Sequence, residues 1–310
     1  MTPRIELWLA ALLVLLATAP ALAARADLAL TLEMEQGELG LAEPVYALVT
    51  LTNRGEEAVE TFADLALESG LLRVEIESPL GEVSPFVPLA VDDVELERVT
   101  LAAGESVSEV VEIFYGGRGW SFRRSGTWQI RAVYEPPGGP RLTAGPVELT
   151  IANTSAGLYL FGAVGETSSQ TGKFLVWRQG DHLELAREHL RGLLDKHPDS
   201  DLASFARLAL GLNLAEPFRD FADGTTRPPR WGEALELLAA VDPADLPPSL
   251  ELALFAGRLK GALATDDAAD VHQALAAARE AAEGRPDLRA RLEALLAKLP
   301  PLPPLPPDRP

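Results

Sequence analysis

Cysteine is absent from the 310 residues, histidine occurs four times, methionine twice, and aromatic residues make up 6% of the chain. Without thiols there is no disulfide framework, no thiolate zinc or iron–sulfur site and no cysteine nucleophile. Positive charge is scarce as well. Lys and Arg number 27 against 46 Asp and Glu, giving a formal net charge of −19. That surplus argues against a nucleic-acid binder, whose phosphate contacts need clustered cations. Four of the basic residues are Lys (Lys173, Lys196, Lys260, Lys298), a bias associated with GC-rich bacterial genomes. What the chain does have is apolar residue: at 47% hydrophobic content it can bury a sizeable core, unlike a disordered acidic polymer. Its length suits two domains of ordinary size.

Residues 1–26 read as a signal peptide. The apolar run Leu7–Ala19 follows Arg4 and ends in small residues, with Ala21-Leu22-Ala23 and Ala24-Arg25-Ala26 both of A-x-A form. The competing reading, a retained anchor, needs about 20 apolar residues to span a bilayer. Cleavage predicts an exported protein, periplasmic or extracellular, with no membrane span thereafter. With no cysteine after the run, a lipid anchor has no attachment point.

From Asp27 to about Asn153 the pattern is that of strands: Leu28–Met34, Val45–Asn53, Leu71–Glu77, Val107–Tyr115, Trp128–Glu135 and Val147–Ile151, separated by Gly, Pro and Asn turn signals. Trp128, Ile130, Ala132 and Tyr134 alternate with Gln129 and Arg131, as a half-buried strand requires. Such strands with no helical segment fit an antiparallel sandwich. The run Glu43-Pro44-Val45, then Val49–Gly55, then Leu101–Ser106 and Ser125–Tyr134 resembles the immunoglobulin-like sandwich modules of bacterial secreted proteins. Gly126, Trp128 and Ile130 resemble the tyrosine-corner region of that fold, with Trp128 standing where the Tyr would be and Ile130 where the Cys would be. That resemblance implies a β-sandwich over 27–153 and little about activity.

The period turns helical after about Gly157. His182–Lys196, Leu202–Leu214, Trp231–Ala240, Ser249–Ala264, Ala268–Ala282 and Pro286–Leu299 carry apolar residues at helical spacing. Ala186, Leu190, Leu193 and Pro198 share offsets with Ala274, Ala278, Ala281 and Pro286, and Ala234, Leu238 and Val241 repeat the first part. This spacing, with His197–Ala206 and Leu210-Gly211, resembles tetratricopeptide repeats of periplasmic proteins. Pro198, Pro247 and Pro286 lie 49 and 39 residues apart, against about 34 in the regular array. An unrelated helical bundle is the alternative, and Ala215–Arg230 reads as an inserted loop. The expected fold is therefore multidomain: an all-β immunoglobulin-like sandwich at 27–153, followed by an all-α tetratricopeptide-like domain of helical hairpins at 154–299. Residues 300–310, with seven prolines, read as a disordered polyproline tail.

Catalytic signatures fail one by one. Gly165–Lys173 departs from a phosphate-binding loop in spacing, and Phe174 takes the place of its Ser or Thr. Gly116–Gly119 joins strand to strand, with no helix to receive a pyrophosphate. His182 and His189, placed on one helix, would stand about 10.5 Å apart, too far to share a metal ion. No catalytic residue, metal ligand or cofactor is expected.

Charge supplies the remaining signal. Residues 27–115 hold 20 acidic and three basic residues, whereas residues 116–141 hold five Arg and one Glu. The acidic surface serves either a basic partner, patchy calcium binding, or solubility alone. Between two strands, Phe114–Phe122 interleaves four aromatics with three glycines. Tyr115, Arg118, Trp120, Phe122, Arg123 and Arg124 are the candidate partner-binding residues, although packing of Trp120 and Phe122 against the second domain fits equally. The expected function is a non-catalytic exported interaction or scaffold protein with a protein or peptide partner. The alternative is an inhibitor or regulator of an exported enzyme, acting through Gly116–Phe122.

Overall fold

The computed structural model describes residues 27–91, 96–222, 224–265 and 268–299; the expected signal peptide and polyproline tail lie outside the described residues. The first half is β-rich. Strands β1 (Leu28–Met34), β3 (Tyr46–Asn53) and β8 (Ser106–Glu112) form a three-stranded antiparallel sheet with β3 in the middle. A five-stranded sheet runs β2 (Glu38–Gly40), β12 (Leu142–Ala152), β11 (Gly126–Tyr134), β5 (Leu72–Glu77), β6 (Val83–Pro85). It is antiparallel except for β2, which pairs parallel to β12. Two short pairs complete the half: β4 (Val59–Phe62) with β7 (Arg98–Leu101), and the hairpin β9 (Tyr115–Gly116) with β10 (Gly119–Trp120).

Alternation decides which face is buried. Leu28, Leu30 and Leu32 of β1, Val74 and Ile76 of β5, and Trp128, Ile130 and Ala132 of β11 all turn into one buried cluster. The opposite face of the three-stranded sheet carries hydroxyl pairs, Thr50 with Ser108 and Thr52 with Ser106, each at 2.8 Å. Asn53, fully buried, is satisfied throughout: its amide donates to the carbonyls of Glu57, Leu101 and Ala102, and its oxygen accepts from Gly55 N. A buried amide so placed ties the 53–55 turn to the β7–β8 connection. With Trp128 in the tyrosine's place, the sequence predicts no tyrosine hydroxyl bond; the strand supplies one from its other end. Buried Tyr134 donates to the Phe62 carbonyl and lies 3.2 Å from the Thr61 hydroxyl.

The second half contains eight helices among the described residues: α1 (Ser155–Phe161), α2 (Gly165–Trp177), α3 (Glu184–Lys196), α4 (Asp201–Ala215), α5 (Trp231–Ala239), α6 (Pro248–Ala264), α7 (Ala268–Ala281) and α8 (Pro286–Leu296). Six fall where the periodicity places them. Helices α1 and α2 are additions that the apolar spacing did not reveal. Thr154 caps α1, accepting from Gly157 N, and Ser200 caps α4, accepting from Ala203 N. The Ala215–Arg230 stretch holds a short hairpin, β13 (Phe218–Arg219) and β14 (Thr226–Arg227), and Arg227 pins it by an ion pair to Asp181. None of the described helices is long and apolar enough to cross a membrane.

The two halves share one buried cluster, which passes from Leu51 and Ile130 through Leu160 and Phe174 to Leu190 and Leu254. Polar links reinforce it. Ser249, in the first turn of α6, donates its N–H to Glu35 at 3.2 Å, and its hydroxyl also donates to that carboxylate.

Candidate functional site

The aromatic–glycine stretch forms the joint between the halves. Tyr115, Trp120 and Phe122 are only 6%, 7% and 4% exposed. Trp120 stacks edge-on against Tyr115 at 5.2 Å and reaches Phe161 of α1 at 6.3 Å. Its indole N–H donates to Ser168 Oγ at 3.0 Å, and the Tyr115 hydroxyl donates to the Ser169 carbonyl at 3.3 Å. Phe122 instead packs edge-on against Trp128 at 5.2 Å. The helix that receives Tyr115 and Trp120 is α2, built from the Gly165–Lys173 run, whose small residues serve contact. A Cβ on Gly172 would stand 2.1 Å from the Tyr115 ring, so only glycine permits that approach.

With the three rings inside, the exposed members of the candidate set are Arg118, Arg123 and Arg124. They line a cleft of about 270 Å³ between β6 and the β9–β10 hairpin, whose wall includes Trp120 and Trp128 and whose one lining carboxylate among the described residues is Glu82. Close backbone approach shapes it. Gly117 N donates to the Val87 carbonyl at 2.8 Å, and a Cβ on Gly116 would lie 2.1 Å from that same oxygen. Arg123 fixes the loop from within: its Nε donates to the Trp120 carbonyl and its Nη2 to the Arg118 carbonyl, both at 2.8 Å. Among the described residues none of the three arginines forms an ion pair. The sequence points to these arginines; it does not reveal the opposing wall, because Glu82, Ser84 and Phe86 carry no pattern linking them to residue 118.

A second recess, about 250 Å³, opens at the joint and is lined by Glu68, Glu109, Glu112, Trp177 and Arg178 among others. Arg178 caps α2 in the left-handed region (φ 53°) and donates to Glu112 Oε2 at 3.2 Å and to the Tyr46 hydroxyl at 3.1 Å. Tyr46 in turn donates to Glu112 Oε2 at 2.9 Å. Burial pushes the Glu112 carboxyl upward against the opposing pull of Arg178, and burial with the Glu112 charge raises the Tyr46 hydroxyl well above its ordinary range. A third titratable group at the joint, Glu43, is 7% exposed and accepts from Gly40 N at 2.8 Å. Burial, with the nearby Asp201 charge, lifts its pKa to about 7.

The histidines are placed apart. His182 precedes α3 rather than sharing it with His189, and stacks on Phe218 at 5.8 Å. His189 lies 3.2 Å from the Thr171 hydroxyl, and burial lowers its pKa. Among the described residues no group of three or more His, Asp and Glu is placed to hold a metal ion.

Neither a protein-family model nor a curated protein matches the chain. Solved structures similar to it include the CARDB domain, an immunoglobulin-like domain, of a Pyrococcus furiosus protein in complex with di-metal ions. That likeness has 14% identity over 42% of this chain and 97% of that one, with a TM-score of 0.26. A β-glucosidase from Listeria innocua is similar at 15% identity over 41% of this chain, with a TM-score of 0.24. Another from Erythrobacter marinus, also at 15% over 41%, has a TM-score of 0.26. The matched region is 16% and 15% of those two enzymes, so this chain corresponds to a minor part of each.

Proposed function

We propose that the chain is a non-catalytic interaction protein of the bacterial envelope, exported and then freed of residues 1–26. In this reading the β-rich half is an immunoglobulin-like sandwich and the helices are degenerate tetratricopeptide-like hairpins, stacked on it as one platform. Support for the sandwich comes from inward residues of both sheets meeting in one cluster, with the Tyr134 hydroxyl bonded to the β4 backbone. Support for stacked hairpins comes from the repeated offsets: Ala186, Leu190 and Leu193, and Ala234, Leu238 and Val241, are all buried to 2% exposure or less. The observation that carries the function is the arginine cleft, a cationic recess on an acidic protein, lined by guanidinium groups and hydroxyls suited to holding an anionic group. Binding is then a matter of complementary surface rather than of bond making. The test is cross-linking of the processed chain in its native envelope extract, followed by mass spectrometry. A stoichiometric complex with one protein is expected. Turnover of a substrate by the purified chain, or a stoichiometric metal retained through dialysis, would overturn the proposal.

A further inference from the structure

Resting on that interaction reading, we propose that the cleft between β6 and the β9–β10 hairpin binds a short, extended, carboxylate-rich segment of the partner protein, seated on Arg118 and Arg124. Carboxylates outnumber cations on this chain by 46 to 27, yet among the described residues none pairs with the three arginines of the cleft. Arg123 is the positioning residue. Its two bonds to the carbonyls of Trp120 and Arg118 hold the loop in shape, leaving Arg118 and Arg124 to meet a ligand. A guanidinium presents its donors as a planar fork that matches a carboxylate with two parallel hydrogen bonds. The apolar ring wall lowers the local dielectric, so each such pair is stronger than it would be in open water.

The surroundings limit the occupant. Residues 27–115 carry 20 acidic and three basic residues, so the cleft is a cationic island in an acidic field. Screening confines that attraction to about 8 Å at physiological salt. A long polyanion such as nucleic acid would run off the island onto repelling carboxylates; a segment of a few residues would not. Glu82 inside the cleft repels a ligand made only of phosphate, whereas a peptide backbone offers it an N–H donor. β-Strand addition along the free edge of β6 contributes little, because Pro85 removes a donor from that edge.

The experiment titrates the processed full chain with a labelled eight-residue peptide rich in Asp and Glu, read by anisotropy and by the fluorescence of Trp120 and Trp128. Saturable binding is expected, weakened about tenfold or more in Arg118→Ala/Arg124→Ala and unchanged in Arg141→Ala, which lies outside the cleft. Circular dichroism of the double variant should match that of the parent, since both side chains are exposed and form no ion pair among the described residues. Equal affinity in parent and double variant, or complete competition by an equal concentration of inorganic phosphate, would overturn the assignment. The same double variant in the envelope cross-linking experiment separates the two claims. If the partner is kept, the cleft assignment falls and the interaction reading stands; if neither form gains a partner, the interaction reading falls.

Discussion

Gly172 marks a place where a helix and an aromatic ring meet with no space between them. The ring of Tyr115 occupies the position that a Cβ at residue 172 would take. Gly172→Ala must push the ring aside or lift α2, and overpacking of this kind costs roughly 1–3 kcal/mol. Trp120→Ala, in contrast, empties the centre of the joint and removes the bond to Ser168. It should cost about 3–5 kcal/mol. Urea unfolding of both variants checks the two figures. A Trp120→Ala protein of parental stability would mean that the ring is not part of the packed interior. The same residues show what a sequence conceals: the aromatic–glycine alternation announces a special loop, but inward and outward rings share the same letters.

At the scale of elements, legibility followed periodicity. Strands β1, β3 and β5 alternate because one face of each is buried; β11 and β12 alternate only in part, since a bulge between Ile130 and Ala132 shifts their register, and α3 carries an apolar stripe of Ala186, Leu190 and Leu193. Helix α2 escaped because small and hydroxylated residues (Ser168, Ser169, Gly172) meet the hairpin, so packing there leaves no apolar stripe, and the seven residues of α1 are too few to show one. Short strands such as β6 and β9 are too brief for any period to show. The β9–β10 loop owes its order to Arg123 and to the bond from Ser121 N to the Phe114 carbonyl at 2.8 Å. Arg123→Met keeps the bulk of the stem while deleting the two guanidinium bonds. Faster amide hydrogen exchange at Gly119 and Ser121 is the expected result, with exchange in β3 unchanged.

For the whole molecule, the joint makes stability depend on pH. Glu43 has a folded pKa of about 7 against an ordinary 4.5. Between those values the folded state holds a proton that the unfolded state has released, so stability falls as pH rises from about 4.5 to about 7 and is level beyond. The fall attributable to this group is roughly 3 kcal/mol, at 1.36 kcal/mol per pH unit of pKa difference. Facing Glu43 are the Gly40 N–H and the Asp201 carboxylate, the latter opposing ionisation. Glu43→Gln should therefore match the parent near pH 4.5 and exceed it at pH 7.5, as measured by denaturant midpoints across the range. A constant difference between the two proteins at every pH would remove Glu43 from this role.

The bond between Glu35 and Ser249 has a consequence for the order in which the chain can mature. Helix α6 starts with two prolines and has no side chain of its own to satisfy its first turn; the carboxylate that does so arrives from the end of β1, 214 residues earlier. The opening turn of α6 is thus completed by a residue of the β-rich half, and the Ser249 amide gains that partner only once the two halves have docked. Protection of the Ser249 amide becomes a clock for final assembly: it should be the signal that appears last during refolding and disappears first when the halves begin to part.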